Sequence, residues 1–253
     1  MRPVQIALQL ITILGRIQPA GVSEIAREID LPKSTVQRAL MALAEAGWIE
    51  ATGRDQTRWS LTVKAGLAVG GADFATRKLR MTAFPVMEEL RQRTRESVYL
   101  AIRDGHEIGL VERLDSLAPV LHAWPLWRGG PMHSTSLGRA ILADLPEDEL
   151  AAYLARPLRV VGNQKPVTVE ELKGELDETR RRGFAASLGD NLPDENAVGA
   201  AIRDPGGRPF AAISISAPTT RMSKAACLEV GVLLADGARR IGQGLARGSA
   251  DRV

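Results

Sequence analysis

The sequence predicts an α+β fold in two parts: a small amino-terminal domain of helices closed by a hairpin, and a larger carboxy-terminal domain built on an antiparallel sheet. Three observations predict it. Residues 4–46 hold three successive runs with apolar positions at helical spacing, and 48–62 then show strand chemistry on either side of the turn-forming TGRDQTR. A cationic helical stretch follows, from about Thr62 to Arg95. Beyond it come strand-like runs, then helices, then one more strand and a closing helix, the order of an α+β domain.

Taken in order, Val4, Ala7, Leu8, Ile11 and Leu14 mark one face of a first helix over 4–17, which GRIQPAG at 15–21 ends. Ser23 is placed as the N-cap of a short second helix carrying Ile25, Ala26 and Ile29. Asp30-Leu31 makes a tight turn, and Pro32 suits the first turn of a third helix, where its missing N–H costs nothing. That helix runs to about Ala46, with Gly47 as its stop. Pro85 is expected to divide the cationic stretch into two helices. Strands are expected at 97–103, 107–114 and 118–124, helices at 136–144, 147–155 and 168–182, a strand at 208–218 and a long helix at 220–246.

Composition excludes more than it assigns. At 253 residues the chain has room for one large or two modest domains, and 45% apolar with 25% charged residues is ordinary globular usage. A net charge of +3 does not by itself announce a nucleic-acid binder. The single cysteine, Cys227, excludes an internal disulfide framework and suits a reducing compartment. No apolar run approaches the ~18 residues of a membrane span. The opening MRPVQIALQLITILGRI, interrupted by Gln5, Gln9 and Thr12, reads as a helix and not a signal peptide. A cytoplasmic location without a membrane partner is expected.

LPKSTVQRAL, 31–40, carries the functional signal. Two short helices joined by a tight turn, the second polar at its start, form a helix-turn-helix arrangement. Val36, Leu40 and Leu43 would hold the second helix down and project its first turn outward, the part that enters the major groove in such motifs. Thr35, Gln37 and Arg38 then suit base edges, since Arg matches guanine and Gln matches adenine. Lys33 and Ser34 suit phosphates at the helix start, with Ser23 on the preceding helix. Arg54 and Arg58, on the hairpin, would grip the flanking backbone as a wing. Residues 1–64 hold eight Lys and Arg against six Asp and Glu, the acids falling mainly off this surface. The bland alternative is an ordinary polar helix face, and a winged fold also serves as a protein-docking module that binds no duplex.

With those residues in view, the chain resembles the IclR family of bacterial transcriptional regulators over almost its whole length. VQIALQLITIL is similar to the family's opening helix, VSEIAREIDLPKSTVQRALMALAEAGWIE to its recognition module and RWSLT to its wing strand. PMHSTSLGRAILA resembles its effector-domain signature, and DNLPDENAVGAAIRDPGGRPFAAISIS its pocket segment. The resemblance implies a winged helix-turn-helix domain over 1–64, a linker helix over 65–80 and a GAF-like effector-binding domain over 81–253. It also implies a homodimer, often paired into a tetramer, on pseudo-palindromic double-stranded operator DNA, controlled by a small organic-acid effector and governing a catabolic operon. By position, the implied effector contacts are Thr135, Ser136 and Leu137, whose backbone amides open a helix; Asp190 and Asn191; and Ser214 and Ser216. The two serines alternate by two and so share one face of a strand. Ala197 stands where many members have a cysteine, and Gly189-Asp190 where several have an acidic pair. GDNLPDENAVGAAI looks closer to members governing aromatic-acid catabolism, for which Trp124 and Trp127 offer a stacking wall, although packing is the commoner role of a tryptophan.

Enzyme chemistry finds no foothold in the sequence. His106, His122 and His133 share no ligand spacing, Cys227 reads as a small buried apolar residue, and PGGRP leads into a strand where a phosphate loop would lead into a helix. No catalytic residue, metal or cofactor is expected.

Overall fold

The computed structural model describes residues 3–53, 57–70, 74–119, 124, 129–160 and 166–250. The chain forms two compact units, Met1–Phe74 and Ala75–Val253.

In the first unit, α1 (Pro3–Ile17), α2 (Val22–Ile29) and α3 (Lys33–Glu45) precede a hairpin of β1 (Ile49–Thr52) and β2 (Arg58–Leu61), and α4 (Val63–Gly70) follows. Leu10, Leu14, Ile25, Val36, Leu40, Ile49 and Trp59 make one core, so the three helices and both strands contribute apolar side chains to a shared centre. Asp30 takes the left-handed conformation at φ 52° between α2 and α3, and Gly47 does so at φ 74° after α3. Ala20 and Trp59 exchange backbone hydrogen bonds, which extends the hairpin by one bridge. The N-cap of α2 is Gly21, not Ser23; Ser23 lies inside the helix, which starts earlier than a serine cap requires. Pro32 stands just before α3 as its N-cap residue.

The second unit joins α5 (Phe74–Thr94) to β3 (Ser97–Asp104), β4 (Glu107–Leu114) and β5 (Gly129–Pro131). After a 3-10 turn at Met132–Ser134 come α6 (Ser136–Asp144), α7 (Glu147–Leu154), α8 (Val169–Arg182), β6 (Ala185–Leu188), β7 (Glu195–Arg203), β8 (Pro209–Pro218) and α9 (Lys224–Ala250). The strands form one sheet in the order β5-β4-β3-β8-β7-β6, with every neighbouring pair antiparallel. Alternation along β3 sends Val98 and Leu100 into a core with α5 and α9, and Tyr99 and Ala101 into a core with α6 and α8. The sheet is therefore covered on both faces, an α+β architecture with an antiparallel sheet.

Pro85 does not divide α5, which continues through it. Ala83, Val86 and Met87 on either side of it are buried in the core, and their packing outweighs the hydrogen bond a proline removes. The sequence reading missed β6 and β7, whose runs AASL and ENAVGAAIR are rich in the Ala and Gly that strands usually avoid. Of the expected 118–124 strand, 120–123 lie outside the described residues, and the strand observed beside β4 is β5.

Candidate DNA-reading helix and ligand cavity

The first turn of α3 is positioned by its buried side. Val36 and Leu40 have no exposure and Leu43 is buried, so Lys33, Ser34, Gln37 and Arg38 stand exposed and Thr35 half-buried. Ser23 on α2 is exposed, and its carbonyl accepts from Arg27 Nε. Arg58 opens β2; it donates to the Pro19 carbonyl at 2.7 Å and lies 3.7 Å from Glu24, so part of its charge is used within the domain. Arg54 lies outside the described residues.

The start of α6 is pinned from several sides. His133 Nδ1 lies 2.7 Å from the Tyr153 hydroxyl, and Nε2 lies 3.2 Å from the Arg159 carbonyl. The hydrogen-bond pattern assigns the proton to Nε2, with Tyr153 donating to Nδ1. Burial holds the His133 imidazole below its ordinary pKa, which keeps it neutral. Arg139, 3% exposed, donates to the His133 carbonyl at 2.7 Å and to Asp190 Oδ2 at 2.8 Å, so it ties the approach to α6 to the loop before β7. Two glycines permit the close packing. A β-carbon at Gly138 would overlap the Met132 carbonyl, and one at Gly199 of β7 would overlap that of Ser136. Thr135 caps the helix by accepting from the Gly138 amide at 3.0 Å.

Between α6 and the sheet lies a cavity of about 530 Å³, counting the open space at its mouth. Thr135, Ser136, Leu137, Asn191, Ser214 and Ser216 all line it, as do Ala197 and Trp124. Register explains the convergence: Ser214 pairs with Gly199 and with Tyr99, and Ser216 with Ala197 and Ser97, so these positions share one face of the sheet. Asp190 is not among the lining residues; it serves Arg139 instead. Trp127 and His122 lie outside the described residues. The sequence reading missed Tyr99, Ser187 and Glu195, which line the same cavity. The period-2 alternation of SVYLA would have placed Tyr99 on the serines' face once β3 was paired with β8. Burial, and then the charge of Glu195, push the Tyr99 phenol above its ordinary pKa, so it stays a hydrogen-bond donor at neutral pH. Among the described residues, no group of three His, Cys, Asp or Glu side chains is placed to hold a metal ion, and no helix is long and apolar enough to cross a membrane.

The IclR helix-turn-helix domain matches residues 3–53, and the bacterial transcriptional regulator IclR C-terminal domain matches 73–243. The chain belongs to the IclR family. It is 30% identical to the HTH-type transcriptional repressor AllR of Escherichia coli K12, over 93% of this chain and 88% of that one. With the transcriptional repressor IclR of the same strain it shares 27% identity over 87% and 81%. An IclR homologue from Microbacterium hydrocarbonoxydans, solved in complex with 4-hydroxybenzoate, superposes with a TM-score of 0.78 at 25% identity, covering 97% of this chain and 100% of that one. This IclR-family chain is a transcriptional regulator with a helix-turn-helix.

Proposed function

We propose that this regulator binds a pseudo-palindromic operator as a homodimer that can pair into a tetramer, that a small organic acid held in the cavity at the start of α6 controls its grip, and that it governs a catabolic operon from the cytoplasm. Thr35, Gln37 and Arg38 read bases, while Lys33, Ser34, Ser23, Arg54 and Arg58 meet phosphates. The reading domain spans 1–64, a linker segment 65–80 and the effector domain 81–253. Thr135, Ser136, Leu137, Asn191, Ser214 and Ser216 contact the effector, and Asp190 supports them through Arg139.

The observation that carries this reading is the cavity at the start of α6. The first N–H groups of a helix lack intrahelical acceptors and favour a carboxylate. Thr135 already serves Gly138, and Ser136 and Leu137, next in that turn, line the cavity. The homologue that holds 4-hydroxybenzoate supports an aromatic acid as the class. Effector occupancy changes DNA occupancy only through a difference in affinity between two states of the regulator.

The test has two arms. Binding to duplex DNA weakens steeply with salt if phosphates are contacted. A thermal-shift screen of small organic acids should find members that raise the apparent melting temperature by mass action. A protein that fails to shift duplex at low salt is not the regulator described, and a screen without a stabilising acid removes the acid as effector.

A further inference from the structure

Tyr99 is 3% exposed, lines the cavity, and its hydroxyl has no hydrogen-bond partner. The side chains of Ser97 and Ser216 are close enough to offset part of the upward push on its pKa, but neither meets hydrogen-bond geometry. An unpaired buried hydroxyl is costly, and folded proteins rarely leave one unless something else completes it. Its place on the sheet says what that is. Gly199 touches the start of α6, Ser214 is its neighbour across β8, and Tyr99 is the next neighbour across β3. Two strand spacings, about 10 Å at the backbone, thus separate Tyr99 from the strand under the α6 amides. Glu195 lines the same cavity, and its charge acts on the Tyr99 hydroxyl.

We propose that Tyr99 determines effector specificity by bonding a hydroxyl at the end of the ligand opposite its carboxylate, so that the regulator responds to a hydroxylated monocarboxylic acid. This rests on the reading of the cavity as the effector site. A hydroxyl is the group that fits, because it accepts from the phenol and retains a proton to donate. A second carboxylate at that end would stand in the field of Glu195. Apolar side chains that line the same cavity, Ile108, Leu110 and Leu137, suit a hydrocarbon body.

Matched acid pairs test this on the full-length protein: 4-hydroxybenzoate against benzoate, and 4-hydroxybutyrate against butyrate, by titration calorimetry. The hydroxylated member of at least one pair should bind about tenfold tighter, the usual discrimination of a site built for a hydrogen bond being at least that. Tyr99→Phe should remove that gap by weakening the hydroxylated acid alone. The same variant without ligand should melt at or above the wild-type temperature, since the hydroxyl it removes bonds nothing. Equal weakening of both members, or no change in either, overturns the role of Tyr99 and leaves the effector cavity standing. If no acid binds, or if binding survives Ser214→Val undiminished, the effector reading of the cavity falls, and Tyr99 with it.

Discussion

Replacing Arg139 with methionine should loosen the second unit and the ligand cavity together. The guanidinium is 3% exposed and makes three contacts: the His133 carbonyl at 2.7 Å, Asp190 at 2.8 Å and Glu175 Oε2 at 2.7 Å. The last is an ion pair without hydrogen-bond geometry, since Glu175 Oε2 has no hydrogen-bond partner. Breaking a fully buried pair costs about 3–5 kcal/mol. Here the carboxylates are 22% and 42% exposed, so water compensates part of the loss, and the lower end, about 3 kcal/mol, is expected. For a unit of this size that is about 6–12 °C in melting temperature. Burial already holds the Glu175 pKa above its ordinary value against the lowering effect of Arg139, and loss of the guanidinium would let it rise further. A raised carboxylate pKa means the folded state binds the extra proton, so stability falls as pH rises from the ordinary value through the folded one. The Arg139→Met defect should therefore be larger at pH 7 than near pH 5. Circular-dichroism melts of full-length protein at the two pH values check both statements. A loss under about 2 °C at pH 7 would refute the clamp, and an equal loss at both pH values would refute the role of Glu175.

Gly199→Ala places a methyl group on the Ser136 carbonyl and should abolish any acid-induced thermal shift while lowering stability by about 1–3 kcal/mol, read in the same melts. Arg38→Ala should weaken operator binding by about 1–3 kcal/mol and relax one base preference in a selection assay; equal loss on every sequence would make Arg38 a phosphate contact. Lys33→Ala should weaken all duplexes alike and reduce the salt slope by about 1. Thr168→Ala breaks the capping box with Glu171 at the start of α8 and should cost about 1 kcal/mol in denaturant titrations, without touching acid binding.

The first unit was legible because its signals are local. Caps, the turn at Asp30, and the Val36, Leu40 and Leu43 stripe are read within a few residues of each other. Even there, the reading favoured Ser23 as a cap on residue type, when the chain uses the Gly21 backbone. The second unit was legible only where side chains announced their element. β6 and β7 hide behind their Ala and Gly, and at Gly199 of β7 the cause is visible: a side chain there would collide with α6, so the strand propensity a larger residue supplies is sacrificed to the helix–sheet contact. The cavity's serines were reached through resemblance, whereas Tyr99 and Glu195 needed the pairing of β3 with β8 and of β8 with β7, which no single stretch of sequence encodes.

The unpaired Tyr99 hydroxyl bears on regulation as well as on recognition. An unmet buried hydroxyl costs about 1–3 kcal/mol, and a ligand hydroxyl that completes it returns that free energy on binding. Tight binding alone regulates nothing, because a ligand with equal affinity for two states leaves their ratio unchanged. Contacts made wholly within the sheet would be the same in any state that keeps the sheet. Contacts that bridge the sheet to α6 change with the position of α6, whose approach is tied to α7 through His133 and to the loop before β7 through Arg139. A ligand anchored at Tyr99 on one side and at the Ser136 and Leu137 amides on the other is therefore the kind that can favour one state. An acid lacking the distal hydroxyl should bind at the α6 end, raise the melting temperature modestly, and leave operator affinity nearly unchanged. Thermal shift and operator binding measured with the same matched acids distinguish the two behaviours, and a deoxy acid that releases or tightens the operator as strongly as its hydroxylated partner would refute the bridging argument.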